Sequence, residues 1–349
     1  MPYTKAMTPT VATRRRRFQR DPEQVALNVT DRHVRIIAFV ARFRFASFTQ
    51  IAVFDGGSEQ KVHRICRALF DAGYLDRPLG QITNVWAQCY KPIVYALAER
   101  GAELLEERLA LNPKHLDWQL KNERAGNVFI EHAVATTELV LAFLIAARER
   151  GYALQDHRDL LPAFPLDTRR AKNPFALSVQ LDGETQRIVP DRLFSLVHEP
   201  SVSRYNYALE IDRGTMPIDR LSFASRENSR FAAKLPVYLT AHLAQLYKTW
   251  WNFDRLRILT IAPNEARISN MIAAANAIDL PEPEVAANID KDRKGNTKVK
   301  AADTKQRSGK APPGLFLFTT PERLATKSPL EAVWTNLNGE LVELGVAAH

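Results

Sequence analysis

Three carboxylates stand out by type and spacing. Asp191 follows Pro190 in IVPDRLFSLV, and Glu210 and Asp212 close the run YNYALEID. Both stretches read as strands, and strand side chains alternate between faces, so Glu210 and Asp212 project to the same side. Pairing of the two strands brings Asp191 to them. Like charges gathered in this way cost stability unless a divalent cation neutralises them. A bound Mg²⁺ or Mn²⁺ lowers the pKa of a water and stabilises charge on phosphate oxygens, which is the chemistry of phosphodiester hydrolysis. The plain alternative is a solvated strand end whose acids pair with a basic neighbour, and Arg213 is adjacent.

The elements around these acids form an ordered series. An apolar-rich helix is expected over 128–150, closed by Gly151, then strands over 175–181, 187–197 and 205–212. Asp182-Gly183 is a hairpin turn signal between the first two strands. A helix over 225–250 carries Pro236, which should kink or split it. A continuous apolar run over 257–262 reads as a buried strand, followed by a helix over 265–278 and a strand over 314–319. A mostly antiparallel start passing into α/β crossovers is an α+β plan. Phosphate-loop, dinucleotide-loop and HExxH signatures are lacking, so ATP hydrolysis, dinucleotide use and zinc proteolysis have no support.

The first part of the chain reads differently. Thr30, Ser47 and Ser58 are candidate N-caps for three successive helices. The third carries Val62, Ile65, Cys66, Leu69 and Phe70 on one face. Gln60, Lys61, His63, Arg64 and Arg67 lie away from that face. Two strand-like runs about Leu75 and Ile93–Leu97 then pair as a hairpin, and a helix follows to Leu109. Three helices and a hairpin are the order of a winged helix-turn-helix, and FDAGYLDR…VYALAERGAELL resembles its wing region. In that fold the third helix enters the major groove, which makes those five residues the DNA face. The same fold also serves protein contact, with its basic face merely solvated.

Net charge is +9, and its placement decides its meaning. Residues 1–20 hold Lys5, Arg14, Arg15, Arg16, Arg17 and Arg20 with no acid, a charge of +6, and residues 290–310 carry +5, so the remainder is near −2. Basic polar arms of this kind suit phosphate backbones. The expected organisation is a basic disordered arm over 1–27, a winged helix over 28–112, and a second domain over 125–349 with a basic loop insertion at 284–312. Cys66 and Cys89 make no zinc or disulfide framework. No uninterrupted apolar run reaches the length of a membrane span, and MPYTKAMTPTVATRRRRFQR lacks the apolar core of a secretory signal, so a cytoplasmic location is expected.

The Pro-Asp…Glu-x-Asp spacing resembles the PD-(D/E)XK nuclease pattern, with Asp212 where that pattern has lysine. Some members carry the lysine on the following helix, and Lys234 in FAAKLPVY is the matching candidate. The resemblance implies a PD-(D/E)XK-like second domain, with Asp191, Glu210 and Asp212 as metal ligands and Lys234 offsetting charge on the phosphate. Glu131 is a further candidate ligand by the same resemblance, against a plain solvated helix residue. Tyr205, Tyr207, Tyr238 and Tyr247 lack a histidine triad, against relaxase-type tyrosine chemistry. A winged helix followed by PDRLFSL…LEIDRGT…KLPVYL resembles the replication-relaxation family of plasmids and mobile elements. That implies duplex DNA as partner, with a relaxase or replication protein, and a homodimer, as further partners; no membrane is implied. Two readings stay open: a Mg²⁺-dependent endonuclease or nickase, and a catalytically silent accessory protein or regulator that binds origin DNA.

Overall fold

Local capping builds the first helices. Thr30 donates its N–H to His33 Nδ1 at 3.1 Å at the head of α1 (Asp31–Phe43). Ser47 and Gln50 satisfy each other's backbone N–H groups at the start of α2 (Phe48–Asp55), a reciprocal box that secures two orphan donors. Between them lies β1 (Phe45–Ser47). Asp55 accepts both Nε and Nη2 of Arg32, at 3.0 and 2.5 Å, tying the end of α2 to α1. Then come α3 (Glu59–Asp71), β2 (Leu75–Asp76), β3 (Val94–Leu97) and α4 (Glu99–Leu109). The strands form one antiparallel sheet in the order β1-β3-β2. A Cβ on Gly101 would meet the Tyr74 carbonyl oxygen at 2.2 Å, so α4 approaches the sheet only because this position lacks a side chain.

This computed structural model describes residues 17–21, 27–82, 91–109, 122, 124–181, 183–198, 201, 203–212, 231–278, 287–291, 297–301 and 310–345. The chain is mixed α+β and divides into two compact units, Met1–Glu138 and Leu139–His349. The division falls inside α5 (Asn127–Glu149). The reason is packing. Ile130, Ala133 and Val134 join Phe45, Val94 and Ala96 in the first unit's core. Thr137 Oγ1 donates to the Phe45 carbonyl at 2.9 Å, and Gln50 Nε2 donates to Glu138 Oε2 at 2.8 Å.

The basic arm is not wholly free. Arg20 donates to the Leu75 carbonyl at 3.1 Å, pairs with Asp76 and covers the Phe70 ring; Asp21 N–H reaches Asp71 at 3.1 Å. Residues 17–21 therefore dock on the end of α3, which corrects the expectation of disorder for that part. Arg14, Arg15 and Arg16 lie outside the described residues.

The second unit centres on a seven-stranded sheet. After α5 come β4 (Tyr152–Gln155), α6 (His157–Leu160), α7 (Leu166–Arg170), β5 (Leu177–Leu181), β6 (Glu184–Ile188), β7 (Arg192–His198) and β8 (Ser203–Ile211). Then follow α8 (Phe231–Leu243), α9 (Leu246–Trp251), β9 (Arg257–Ile261), α10 (Glu265–Asn276), β10 (Ala287–Lys291), β11 (Thr297–Ala301), β12 (Phe316–Thr319), α11 (Pro321–Thr326), β13 (Trp334–Thr335) and β14 (Leu341–Val342). The sheet order is β14-β13-β12-β9-β8-β7-β4, with β8, β9 and β12 mutually parallel and the remaining pairs antiparallel. Leu193, Ala208, Ile258, Phe316 and Phe318 pack with Leu235, Val237 and Leu239 of α8 and Ile268 and Met271 of α10. On the opposite side of the sheet Phe194 meets Phe143 of α5 at 4.9 Å.

Three sequence expectations change. The strand over 187–197 is two strands in two sheets: β6 pairs with β5, and β7 begins after Pro190, which has no N–H to give to a ladder. Pro236 sits inside α8 without splitting it; the break comes at Ala244–Gln245, where Gln245 has φ 52°. The basic 284–312 insertion holds an antiparallel strand pair, β10–β11, rather than a loop alone. One further reading shifts: α5 is long and apolar enough to cross a membrane by length and composition, and 33% of its most apolar stretch is buried in the protein.

Candidate functional site

Sheet register brings Asp191 and Glu210 together. Arg192 pairs with Leu209 in the β7–β8 ladder, so the preceding residue, Asp191, falls across from Glu210. The Ile211 N–H donates to Asp191 Oδ2 at 2.8 Å. On the other flank, the parallel β8–β9 register aligns Glu210 with Thr260. Thr260 is fully buried, and its hydroxyl has no hydrogen-bond partner among the described residues. Helix α8 lies over this face and presents Lys234 and Tyr238, one turn apart, to the same carboxylate. Lys234 Nζ sits 2.5 Å from Glu210 Oε2, and Tyr238 donates its hydroxyl to Oε1 at 2.6 Å.

Glu210 is 2% exposed. Burial raises its pKa to about 7, against the attraction of Lys234. Burial also works against the Lys234 ammonium, but Glu210 and Asp191 outweigh it and hold that pKa above the ordinary lysine value. Burial and the adjacent carboxylate push the Tyr238 phenol well up, so it remains a donor. Lys234 is thus not simply a solvated helix lysine: its side chain is 27% exposed and is paired with Glu210.

Asp212 has a partner of its own. Its N–H extends the ladder to the Ile261 carbonyl at 2.9 Å, and its carboxylate takes Arg267 Nε at 2.5 Å from α10. Arg267 Nη2 is buried without a hydrogen-bond partner among the described residues. Among the described residues no three His, Cys, Asp or Glu side chains are grouped to hold a metal ion. Asp191 and Glu210 therefore meet with Lys234, while Asp212, paired with Arg267, is near enough for its charge to act on Lys234. β8 ends at Ile211, and the acid beyond it is drawn to the arginine of the next helix. An all-oxygen set of two carboxylates fits Mg²⁺ or Mn²⁺, which keep waters and accept substrate phosphate for the remaining positions. The orphaned Thr260 hydroxyl in the same cross-strand row adds a neutral oxygen. Glu131 is ion-paired with Lys91 at 3.1 Å within the first unit, and Arg213 lies outside the described residues.

The second candidate region is α3. Gln60, Lys61, His63 and Arg64 are exposed and make no ion pair among the described residues. His63 meets the Phe48 ring edge-on at 5.5 Å. Arg67 differs from them: its Nε pairs with Asp71 at 2.6 Å, its Nη2 donates to the Gln19 carbonyl, and its side chain is only 21% exposed. Arg67 is committed to holding the docked arm. The guanidinium of Arg17 donates to the Lys91 carbonyl at 2.6 Å.

Tyr238, Thr260 and Arg267 were not singled out for these roles from sequence. The i, i+4 spacing of Lys234 and Tyr238 was a readable signal; the Asp212–Arg267 pair spans 55 residues and left none.

Sequence comparison adds one finding. The model of the replication-relaxation family matches residues 37–251, more than half of the chain, a span that includes Asp191, Glu210, Lys234 and Tyr238. No curated protein and no solved structure matches. On the strength of that family match, the chain belongs to the replication-relaxation family.

Proposed function

We propose that this chain is a DNA-processing protein of plasmid or mobile-element replication and relaxation, binding duplex DNA with its first unit and cleaving a phosphodiester bond with its second. In this reading the first unit is a winged helix. Gln60, Lys61, His63 and Arg64 of α3 face the major groove, and the still more basic Arg14–Arg17 stretch follows the backbone. The second unit is a PD-(D/E)XK-like fold whose lysine has moved from the strand to α8.

The observation that carries the reading is the convergence of Asp191, Glu210 and Lys234. They come from two strands and a helix, and Glu210 is held among them in nearly complete burial. A core that only needed stability would place an apolar side chain there, since a buried ion pair is often no more stabilising than a hydrophobic replacement. Asp191 and Glu210 would hold Mg²⁺ or Mn²⁺, which activates a water and neutralises phosphate charge when bound. Lys234 adds a positive charge beside the phosphate, worth most in a water-poor site. Tyr238 fixes the orientation of Glu210. Asp212 holds Arg267 in place at the end of β8.

A second reading has its own support. Both oxygens of Glu210 are already engaged, by Lys234 and Tyr238. That fits a silent nuclease-like scaffold that binds DNA and recruits a relaxase or replication protein. One experiment separates the two. Supercoiled plasmid is incubated with the protein in Mg²⁺, Mn²⁺ or EDTA, beside Asp191→Ala/Glu210→Ala. Metal-dependent nicking or linearisation that the variant loses supports the enzyme. Salt-sensitive binding without cleavage in either metal supports the scaffold.

A further inference from the structure

Resting on the reading of Asp191 and Glu210 as a metal-holding pair, we infer that Lys234 is a displaceable internal counterion. It occupies Glu210 in the metal-free protein and is released toward the DNA phosphate only when a divalent cation takes its place. Both oxygens of the buried Glu210 carboxylate are occupied: Oε2 by Lys234 Nζ at 2.5 Å and Oε1 by the Tyr238 hydroxyl at 2.6 Å. A Mg²⁺ on this carboxylate sits about 2.1 Å from its oxygen. Ion and ammonium would then lie within about 5 Å of each other, and two like charges at that range repel strongly in a poorly solvated site. The two cations therefore compete for one carboxylate.

The surroundings allow the exchange. Lys234 has a flexible four-carbon stem, and its side chain is 27% exposed where that of Glu210 is 2% exposed, so the lysine is the member with somewhere to go. Lys234 stands in the first turns of α8, ahead of Pro236, whose missing N–H leaves the carbonyl four residues earlier without its helical partner. Tyr238, fully enclosed one turn later, keeps Glu210 aimed while its other oxygen changes partner. The consequence is an ordered device. Without metal, the cluster is neutralised from within and its lysine is kept from phosphate. With metal, the same lysine becomes the free charge beside the scissile group.

The test is Mn²⁺ binding to the full-length protein without DNA, followed by calorimetry or by the Mn²⁺ electron-spin signal. Wild type is compared with Lys234→Met, Lys234→Arg and Asp191→Asn. Removing one partner of a buried pair leaves the other uncompensated, so Lys234→Met should bind Mn²⁺ at least about tenfold more tightly than wild type. Lys234→Arg, which keeps the counterion, should stay near wild type and controls for folding. Asp191→Asn should weaken binding. Equal or weaker Mn²⁺ binding by Lys234→Met, with wild type still binding through Asp191, overturns the exchange and leaves the metal reading intact. Absence of Mn²⁺ binding in all four proteins overturns both.

Discussion

The α3 face and the Glu210 cluster use charge in opposite ways. On α3, Lys61 and Arg64 stand in solvent without ion-pair partners among the described residues, an arrangement that costs little on any soluble helix. Around Glu210 every charge is engaged: Glu210 with Lys234, Asp212 with Arg267, Asp191 with the Ile211 N–H. Buried charges are costly to keep. The second region is therefore the more specific signal of chemistry, and the first a more generic signal of a polyanionic partner. Within α3 the same contrast recurs, since Arg67 is held by Asp71 and the Gln19 carbonyl while Arg64 is open.

The largest expected effect lies in the buried region. Lys234→Ala should lower the cleavage rate by about 10²–10³, the usual cost of losing one preorganised charge at a transition state. Duplex affinity, measured by anisotropy, should stay unchanged. Equal losses in both would break the division of labour between the regions.

His157 sharpens the comparison from inside the second unit. His157 is half-buried; its ring accepts the Leu193 N–H at 3.1 Å and lies against Phe175 at 4.1 Å. Burial, with Arg192 nearby, lowers its pKa to about 3. The unfolded chain binds a proton below the ordinary histidine value of 6.5, and the folded chain does not until about pH 3. Stability should thus be full above pH 6.5 and fall as pH drops, by about 1.4 kcal/mol per unit from this group alone. Denaturant melts from pH 7 to pH 4 check this. His157→Gln, which keeps an acceptor, should flatten the slope, and an unchanged slope would place the acid sensitivity elsewhere.

Next in size is the exposed face. Lys61→Glu/Arg64→Glu should cut duplex affinity by on the order of ten- to a hundredfold at moderate salt, and reduce the log–log salt slope by about one for each phosphate no longer neutralised. Melting temperature should not move, because neither residue packs. The smallest effect belongs to Arg67→Ala. It should destabilise by about 1 kcal/mol through loss of a partly shielded ion pair, with little change in affinity. A large affinity loss there would return Arg67 to the DNA face.

Much of this was legible in the sequence, for physical reasons. The caps at Thr30 and Ser47 and the apolar face of α3 follow from local periodicity, which acts over a few residues. That Asp191 lies across from Glu210 was legible because two strand-like runs close in sequence are expected to pair. What escaped was long-range or short in extent. Arg267 reaches Asp212 only through the packing of α10 on the sheet. β4, with four residues, and the two-residue strands β13 and β14 offer too little pattern to read. The β10–β11 pair lies in a polar, basic stretch whose composition argued for a loop. The Arg67–Asp71 pair, four residues apart on one helix, was a contact the sequence did contain.

The most direct test of the buried cluster's role is single-turnover nicking of plasmid at saturating protein, comparing wild type, Glu210→Gln and Lys61→Glu/Arg64→Glu. Glu210→Gln is expected to bind the plasmid and not nick it, while the α3 variant fails at low protein concentration and recovers the wild-type rate at saturation. Nicking by Glu210→Gln at the wild-type rate would contradict this division, because the buried cluster would then not be where the bond is broken.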